Sequence, residues 1–138
     1  VFMCGGNTDY LMHVMQKSGF AGILPEVLQS KVYVGISAGS MVLGKRASTD
    51  AYQRVYGEWN TYGPPGDVEI VDFTIKPHLD SPDQPNCRAK ILQEVSRGCT
   101  NRIYALQNTQ AIIIIDGSAT RYIGGRPLCL ENGKVIHG

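Results

Sequence analysis

Hydrophobic positions fall along the chain in short blocks whose period changes from one block to the next. Residues 1–4 are a brief apolar run that stops at Gly5-Gly6. Over residues 9–17, Leu11, Met12 and Met15 stand at helical spacing, with Thr8 as the expected N-cap. A second helix is expected over residues 23–29, where Pro25 would sit in the tolerant first turn. Residues 32–36 are short, β-branched and followed by a sharp Gly-Ser turn, so they read as a buried strand, and residues 39–43 as the start of a helix. Residues 46–67 are polar and rich in Gly, Pro and Tyr, which predicts a long loop or irregular excursion of the kind that often carries function.

The second half reads more regularly. Residues 68–75 return to a strand pattern ending at Lys76-Pro77-His78, and residues 79–86, with Pro82 and Pro85, are loop. Residues 88–96 form an amphipathic helix with Ile91, Leu92 and Val95 on one face. Strands are expected at 102–106 and 111–116, and Asp116-Gly117 turns the chain into a hairpin-like meander through Tyr122-Ile123 to Gly124-Gly125. Asn132-Gly133 closes a last hairpin between residues 128–130 and 135–136. Strands alternating with helices predict an α/β fold: three layers, αβα, around a mainly parallel sheet whose chemistry sits at the carboxyl ends of the strands.

Length and charge narrow the classes. At 138 residues the chain suits one domain, taken here as residues 1–138, and not two. Thirteen basic against twelve acidic residues gives a net charge of +1 with no basic stripe, so no nucleic-acid partner is expected. The longest apolar run, residues 111–115, is too short to span a bilayer, and no membrane partner is expected. Cys4, Cys87, Cys99 and Cys129 form no C-x-x-C pair and have no His at ligand spacing. They read as reduced, mostly buried thiols of a cytoplasmic protein, with no metal and no cofactor. The chain opens at Val1 inside an apolar run, which suggests an N-terminally incomplete domain.

The chemistry concentrates in Gly35-Ile36-Ser37-Ala38-Gly39, which fits G-x-S-x-G between a strand and a helix. Such a turn exposes the hydroxyl, and small residues two before and two after let strand and helix approach. A serine needs a base. His13 lies among helical apolar residues and His137 is next to last, so His78, directly after a strand, is the best candidate. The third member should be a carboxylate that holds the imidazole. Asp50, Glu58, Asp67, Asp72, Asp80 and Asp83 are candidates; Asp50 gives the chain order Ser, Asp, His. Gly5-Gly6-Asn7-Thr8 closes the first strand and opens a helix. Its backbone N–H groups can face an anion, with Gly6 the natural partner of Ala38 in an oxyanion hole; equally, it is a tight turn with Asn7 or Thr8 as cap.

CGGNT at 4–8, GISAGS at 35–40, IVDFTIKPH at 70–78 and Arg88 together resemble the dipeptidase E (aspartyl dipeptidase) family of serine peptidases, with its cyanophycinase-like relatives. The resemblance implies a class I glutamine amidotransferase-like fold, whose first strands this chain lacks, and hydrolysis of short peptides with N-terminal Asp. It implies Ser37 as nucleophile, His78 as base, Asp50 as acid, Gly6 and Ala38 as oxyanion donors, and Asn7 and Arg88 at the substrate. A guanidinium suits the last task because its planar fork can hold a carboxylate at two points. The expected partner is a short acidic peptide, and a homo-oligomer is compatible with the sequence. Two other readings compete: an esterase or lipase of the α/β-hydrolase type using Ser37, Asp116 and His137, and a non-enzymatic small-molecule binding module with a relic elbow.

Overall fold

The computed structural model describes residues 1–47, 49–59, 62 and 68–136, the side chains of Thr49 and Asp50 excepted. It opens with strand β1 (Phe2–Met3) and helix α1 (Thr8–Lys17), capped by Asn7, whose side-chain oxygen accepts from the Tyr10 amide at 2.9 Å. Helix α2 (Phe20–Val27) starts three residues earlier than expected. Gly19 adopts φ 79° and breaks the chain from α1, so Pro25 lies inside the helix and not in its first turn. Strand β2 (Val34–Gly35) pairs parallel with β1. It is not buried as expected: Val32, Val34 and Ile36 are all exposed.

Helix α3 (Ala38–Met41) follows the elbow directly. The expected excursion over 46–67 instead contains helix α4 (Thr49–Tyr56). Ala51, Tyr52 and Val55, spaced one and three apart, are buried, so one face of a polar-looking segment carries its packing. Strand β3 (Thr74–Lys76) is shorter than predicted, because Glu69 takes φ 39° and residues 70–73 bond instead to the segment after α3. Helix α5 (Ala89–Ser96) and strands β4 (Ile103–Ala105), β5 (Ala111–Ile115), β6 (Ser118–Ile123), β7 (Leu128–Glu131) and β8 (Lys134–Val135) complete the chain.

The sheets are mixed, not mainly parallel. Strand β1 pairs with β2 and β3 with β4 in parallel, whereas β4–β7, β7–β8 and β5–β6 are antiparallel. The two hairpin signals act as their sequences require. Asp116-Gly117 and Asn132-Gly133 have positive φ at both positions, the geometry whose twist suits a two-residue turn.

Leu92, Ile103, Ala105, Leu130 and Cys87 form one core under α5; Met12, Met15, Leu24, Val42 and Leu43 form another beneath α1 and α2. The segment after α3 ties the elbow to β3: Lys45 N–H donates to Phe73 C=O at 2.9 Å, and a Cβ on Gly44 would lie 2.5 Å from that same oxygen. All four cysteines are free, but only Cys87 is buried; Cys4 is exposed and the others are intermediate. No helix among the described residues is long and apolar enough to cross a membrane.

Candidate active site

Ser37 stands between β2 and α3 with φ 54° and ψ −121°, a conformation that costs a non-glycine residue free energy and persists only where neighbours enforce it. The enforcement is visible. A Cβ on Gly35 would lie 2.5 Å from the Gly39 carbonyl oxygen, and one on Gly39 would overlap the Met3 carbonyl oxygen. Tyr33 Oη donates to Gly39 C=O at 2.6 Å, and Ser40 Oγ donates to Ser37 C=O at 2.6 Å. Burial pushes the Tyr33 phenol well above its ordinary range, so it stays a proton donor.

Strand β3 delivers His78. Its backbone is also left-handed, φ 68°, and it is followed by Leu79, whose N–H donates to Leu106 C=O at 2.8 Å. His78 Nε2 lies 2.8 Å from Ser37 Oγ. Its other ring nitrogen, Nδ1, lies 2.8 Å from Asn108 Oδ1. Behind the turn, Cys87 Sγ donates to Pro77 C=O at 3.3 Å, and burial raises that thiol's pKa, keeping it protonated. A hydroxyl in hydrogen-bond contact with an imidazole whose far nitrogen is itself held is an arrangement that can generate a nucleophile.

Asn108 escaped a sequence reading that looked only for carboxylates. A usable signal existed: it follows β4 by three residues, and parallel pairing of β3 with β4 brings the carboxyl ends of both strands together. Of the carboxylates considered, Glu58 accepts from the Thr8 amide at 3.2 Å and the Thr8 hydroxyl at 3.1 Å, and burial raises its pKa. Asp72 pairs with Lys45 at 2.5 Å on the surface, and Asp80 stands 3.9 Å from Arg88. Asp50 is the second residue of α4, its side chain outside the described residues, as are Asp67 and His137 altogether. Asp116 sits in the β5–β6 turn.

The Gly5-Gly6 turn lies against the serine: a Cβ on Gly5 would be 2.9 Å from Ser37 Cβ and 3.3 Å from its Oγ. Neither the Gly6 nor the Ala38 N–H donates to a backbone carbonyl among the described residues. Asn7 spends its side-chain oxygen on the α1 cap. Arg88 directs Nη1 at the carbonyls of Ser81, Gln84 and Cys87, at 3.2, 3.4 and 3.3 Å. Among the described residues no group of three or more His, Cys, Asp or Glu side chains converges as a metal site requires.

A family model described as peptidase family S51 matches residues 1–122. The chain is 26% identical over 119 residues to an uncharacterized peptidase of Listeria monocytogenes, covering 83% of this chain and 55% of that protein. It is 25% identical over 126 residues to an uncharacterized peptidase of Pasteurella multocida, covering 91% and 59%. A 1.5 Å crystal structure of a candidate peptidase E protein from Listeria monocytogenes superposes with a TM-score of 0.62 at 23% identity, over 99% of this chain and 59% of the other. That likeness establishes a shared α/β fold, and this chain spans a little over half the length of these relatives. With most of its length matched, elbow and histidine included, the chain belongs to peptidase family S51, the dipeptidase E family.

Proposed function

We propose that this chain carries the catalytic centre of a serine-type exopeptidase that hydrolyses short peptides, dipeptides with N-terminal Asp among them. One observation carries the reading: a strained Ser37 whose Oγ lies 2.8 Å from His78 Nε2, with His78 Nδ1 held in turn by Asn108. Membership of a peptidase family supports it.

In this mechanism His78 accepts the Ser37 proton as Oγ attacks the peptide carbonyl. The carbonyl oxygen gains negative charge and rests on the N–H groups of Gly6 and Ala38. His78, now protonated, gives its proton to the leaving amine as the C–N bond breaks, leaving Ser37 acylated. Water, deprotonated by His78, then releases the acid and restores the serine. Asn108 Oδ1 accepts from Nδ1–H, which keeps the Nε2 lone pair directed at the hydroxyl. That role was expected of Asp50; Asn108 takes it here on the strength of its distance to Nδ1. Arg88 is the proposed anchor for an acidic substrate side chain, with its Nη1 committed to the loop beneath.

For the whole fold, the proposal is a three-layer, class I glutamine amidotransferase-like architecture in which further strands and helices cover β1 and β2. The support is the apolar face left open there, with Phe2 at 64% and Val32 at 77% exposure, and the greater length of the relatives.

Hydrolysis of Asp-Xaa dipeptides by the intact protein tests the reading. Ser37→Ala and His78→Ala should each lower kcat by at least about 1,000-fold. Peptidase activity retained by either variant overturns it.

A further inference from the structure

The left-handed backbone of His78 has to be enforced from outside, as that of Ser37 is. A non-glycine residue at φ 68° persists only where its neighbours over-determine it. Its torsions follow from how the two peptide units that meet at its Cα are fixed. The unit after His78 is fixed by backbone bonds: Ser81 N–H donates to His78 C=O at 3.0 Å, and Leu79 N–H to Leu106 C=O at 2.8 Å. The unit before it is different. Among the described residues, Pro77 C=O accepts from no backbone N–H and His78 N–H donates to no backbone carbonyl. Two side chains hold that unit instead: Tyr56 Oη donates to Pro77 C=O at 3.0 Å, and Cys87 Sγ donates to it at 3.3 Å.

The roles in the Tyr56 bond have one possible assignment. A carbonyl oxygen has no proton to give, so the phenol is the donor. Burial raises the phenol's pKa well above its ordinary value, which keeps that proton in place. The thiol is the weaker partner, because S–H is a poor donor, and it also lies 4.0 Å from Tyr56 Oη. The phenol is itself firmly seated. Tyr56 is the last residue of α4, and its ring packs against both the core under α5 and the cluster of Met41, Ala47, Ala51 and Tyr52. Turning the Pro77–His78 peptide unit would take the carbonyl off this donor and swing the imidazole off its line to Ser37.

Resting on the reading of Ser37 and His78 as nucleophile and base, we infer that Tyr56 is a positioning residue of this site: its hydroxyl pins the Pro77 carbonyl, fixes the left-handed turn at His78, and so holds Nε2 2.8 Å from Ser37 Oγ. Helix α4 thereby reaches the site through one backbone carbonyl.

The test is the rate at which an alkyl fluorophosphonate labels Ser37, followed by mass spectrometry on the intact protein over a range of reagent concentrations. Tyr56→Phe keeps the ring and deletes only the donor; Tyr56→4-aminophenylalanine puts an N–H donor in its place. Ser96→Ala is the control, since it removes a buried hydroxyl that bonds only Gln93 C=O and Gly133 N–H. Tyr56→Phe should lower the maximal labelling rate about 10- to 100-fold and leave the half-saturating concentration within about twofold. The 4-aminophenylalanine form should return to within about threefold of the natural rate, because the carbonyl again has a donor, and Ser96→Ala should label at the natural rate. Thermal melts of every form, with labelling done well below the lowest Tm, separate slow labelling from lost fold. A folded Tyr56→Phe that labels at the natural rate overturns the role of Tyr56 and leaves the serine reading standing. So does a 4-aminophenylalanine form as slow as Tyr56→Phe, or equal slowing by Ser96→Ala. No labelling of Ser37 in any folded form overturns the serine reading, and the role of Tyr56 with it.

Discussion

At the scale of single residues, the site is a matter of what is absent at 35 and 39 as much as of what is present at 37. The Ser37 backbone is held at positive φ because β2 meets α3 at a distance that only a hydrogen at Gly35 permits, and α3 meets the end of β1 where only a hydrogen at Gly39 fits. A methyl at 35 would meet the Gly39 carbonyl at 2.5 Å, backbone against backbone, with no rotamer to relieve it. Gly35→Ala should therefore cost about 1–3 kcal/mol in chemical denaturation and also separate Ser37 Oγ from His78 Nε2. The paired measurement is fluorophosphonate labelling: a variant that loses stability but labels at the natural rate would show that the close approach does not set the serine's geometry. These glycines were legible in the sequence because their reason is local. For Asn108 only its place just past a strand was legible, since nothing within five residues of it says which strand end it will share.

Between elements, a layer of charge lies where α1, α4 and β3 meet. Asp9, 1% exposed, pairs with Arg46 at 2.5 Å, and Arg46 also stacks over the Tyr52 ring at 4.7 Å. Glu58 bonds to the amide and hydroxyl of Thr8, supplying an acceptor to the first turn of α1 from fifty residues away. Taking both ions of a buried pair out of water is costly, so the pair's net worth is small; removing one partner strands the other. Asp9→Ala should lower unfolding free energy by about 3–5 kcal/mol, and Asp9→Leu with Arg46→Met should recover most of it. A loss below about 1 kcal/mol for the single change, the range of exposed pairs, would mean that Arg46 reaches water once released. Helix α4 belongs to this layer. Its polar face disguised it as loop, and its buried face is recognisable only beside the elements it packs against.

Over the whole molecule, Lys76 couples stability to pH. It is fully buried on β3, its Nζ 3.8 Å from the Tyr52 ring centroid and 5.2 Å from that of Tyr56. Burial pulls its pKa down to about 8 from an ordinary 10.5. Between those values the unfolded chain holds a proton that the folded chain has released, so the Lys76 contribution makes stability rise with pH across that window. Below pH 8 both states are charged and the folded state bears the full cost, at most about 3 kcal/mol. Lys76→Met should raise Tm at pH 7 and flatten the Tm profile between pH 8 and 10 relative to the natural protein. A variant that melts lower at pH 7 would instead make the ammonium, resting on its two tyrosine rings, a net stabilising group.

What the sequence determined by itself was whatever a few neighbouring residues decide. Asp-Gly and Asn-Gly tolerate the left-handed turns of the two hairpins, Gly-x-Ser-x-Gly builds the elbow, and the spacing of Ile91, Leu92 and Val95 makes α5. It also placed Ser37 and His78 at strand ends, because a strand followed by a turn is a local pattern. The tertiary structure alone decided which residue meets His78 Nδ1, that α4 forms, that β2 lies exposed and that Lys76 is sealed inside. Each of these depends on which distant segment comes to lie alongside, and contacts between segments thirty or more residues apart leave no period in the chain to read.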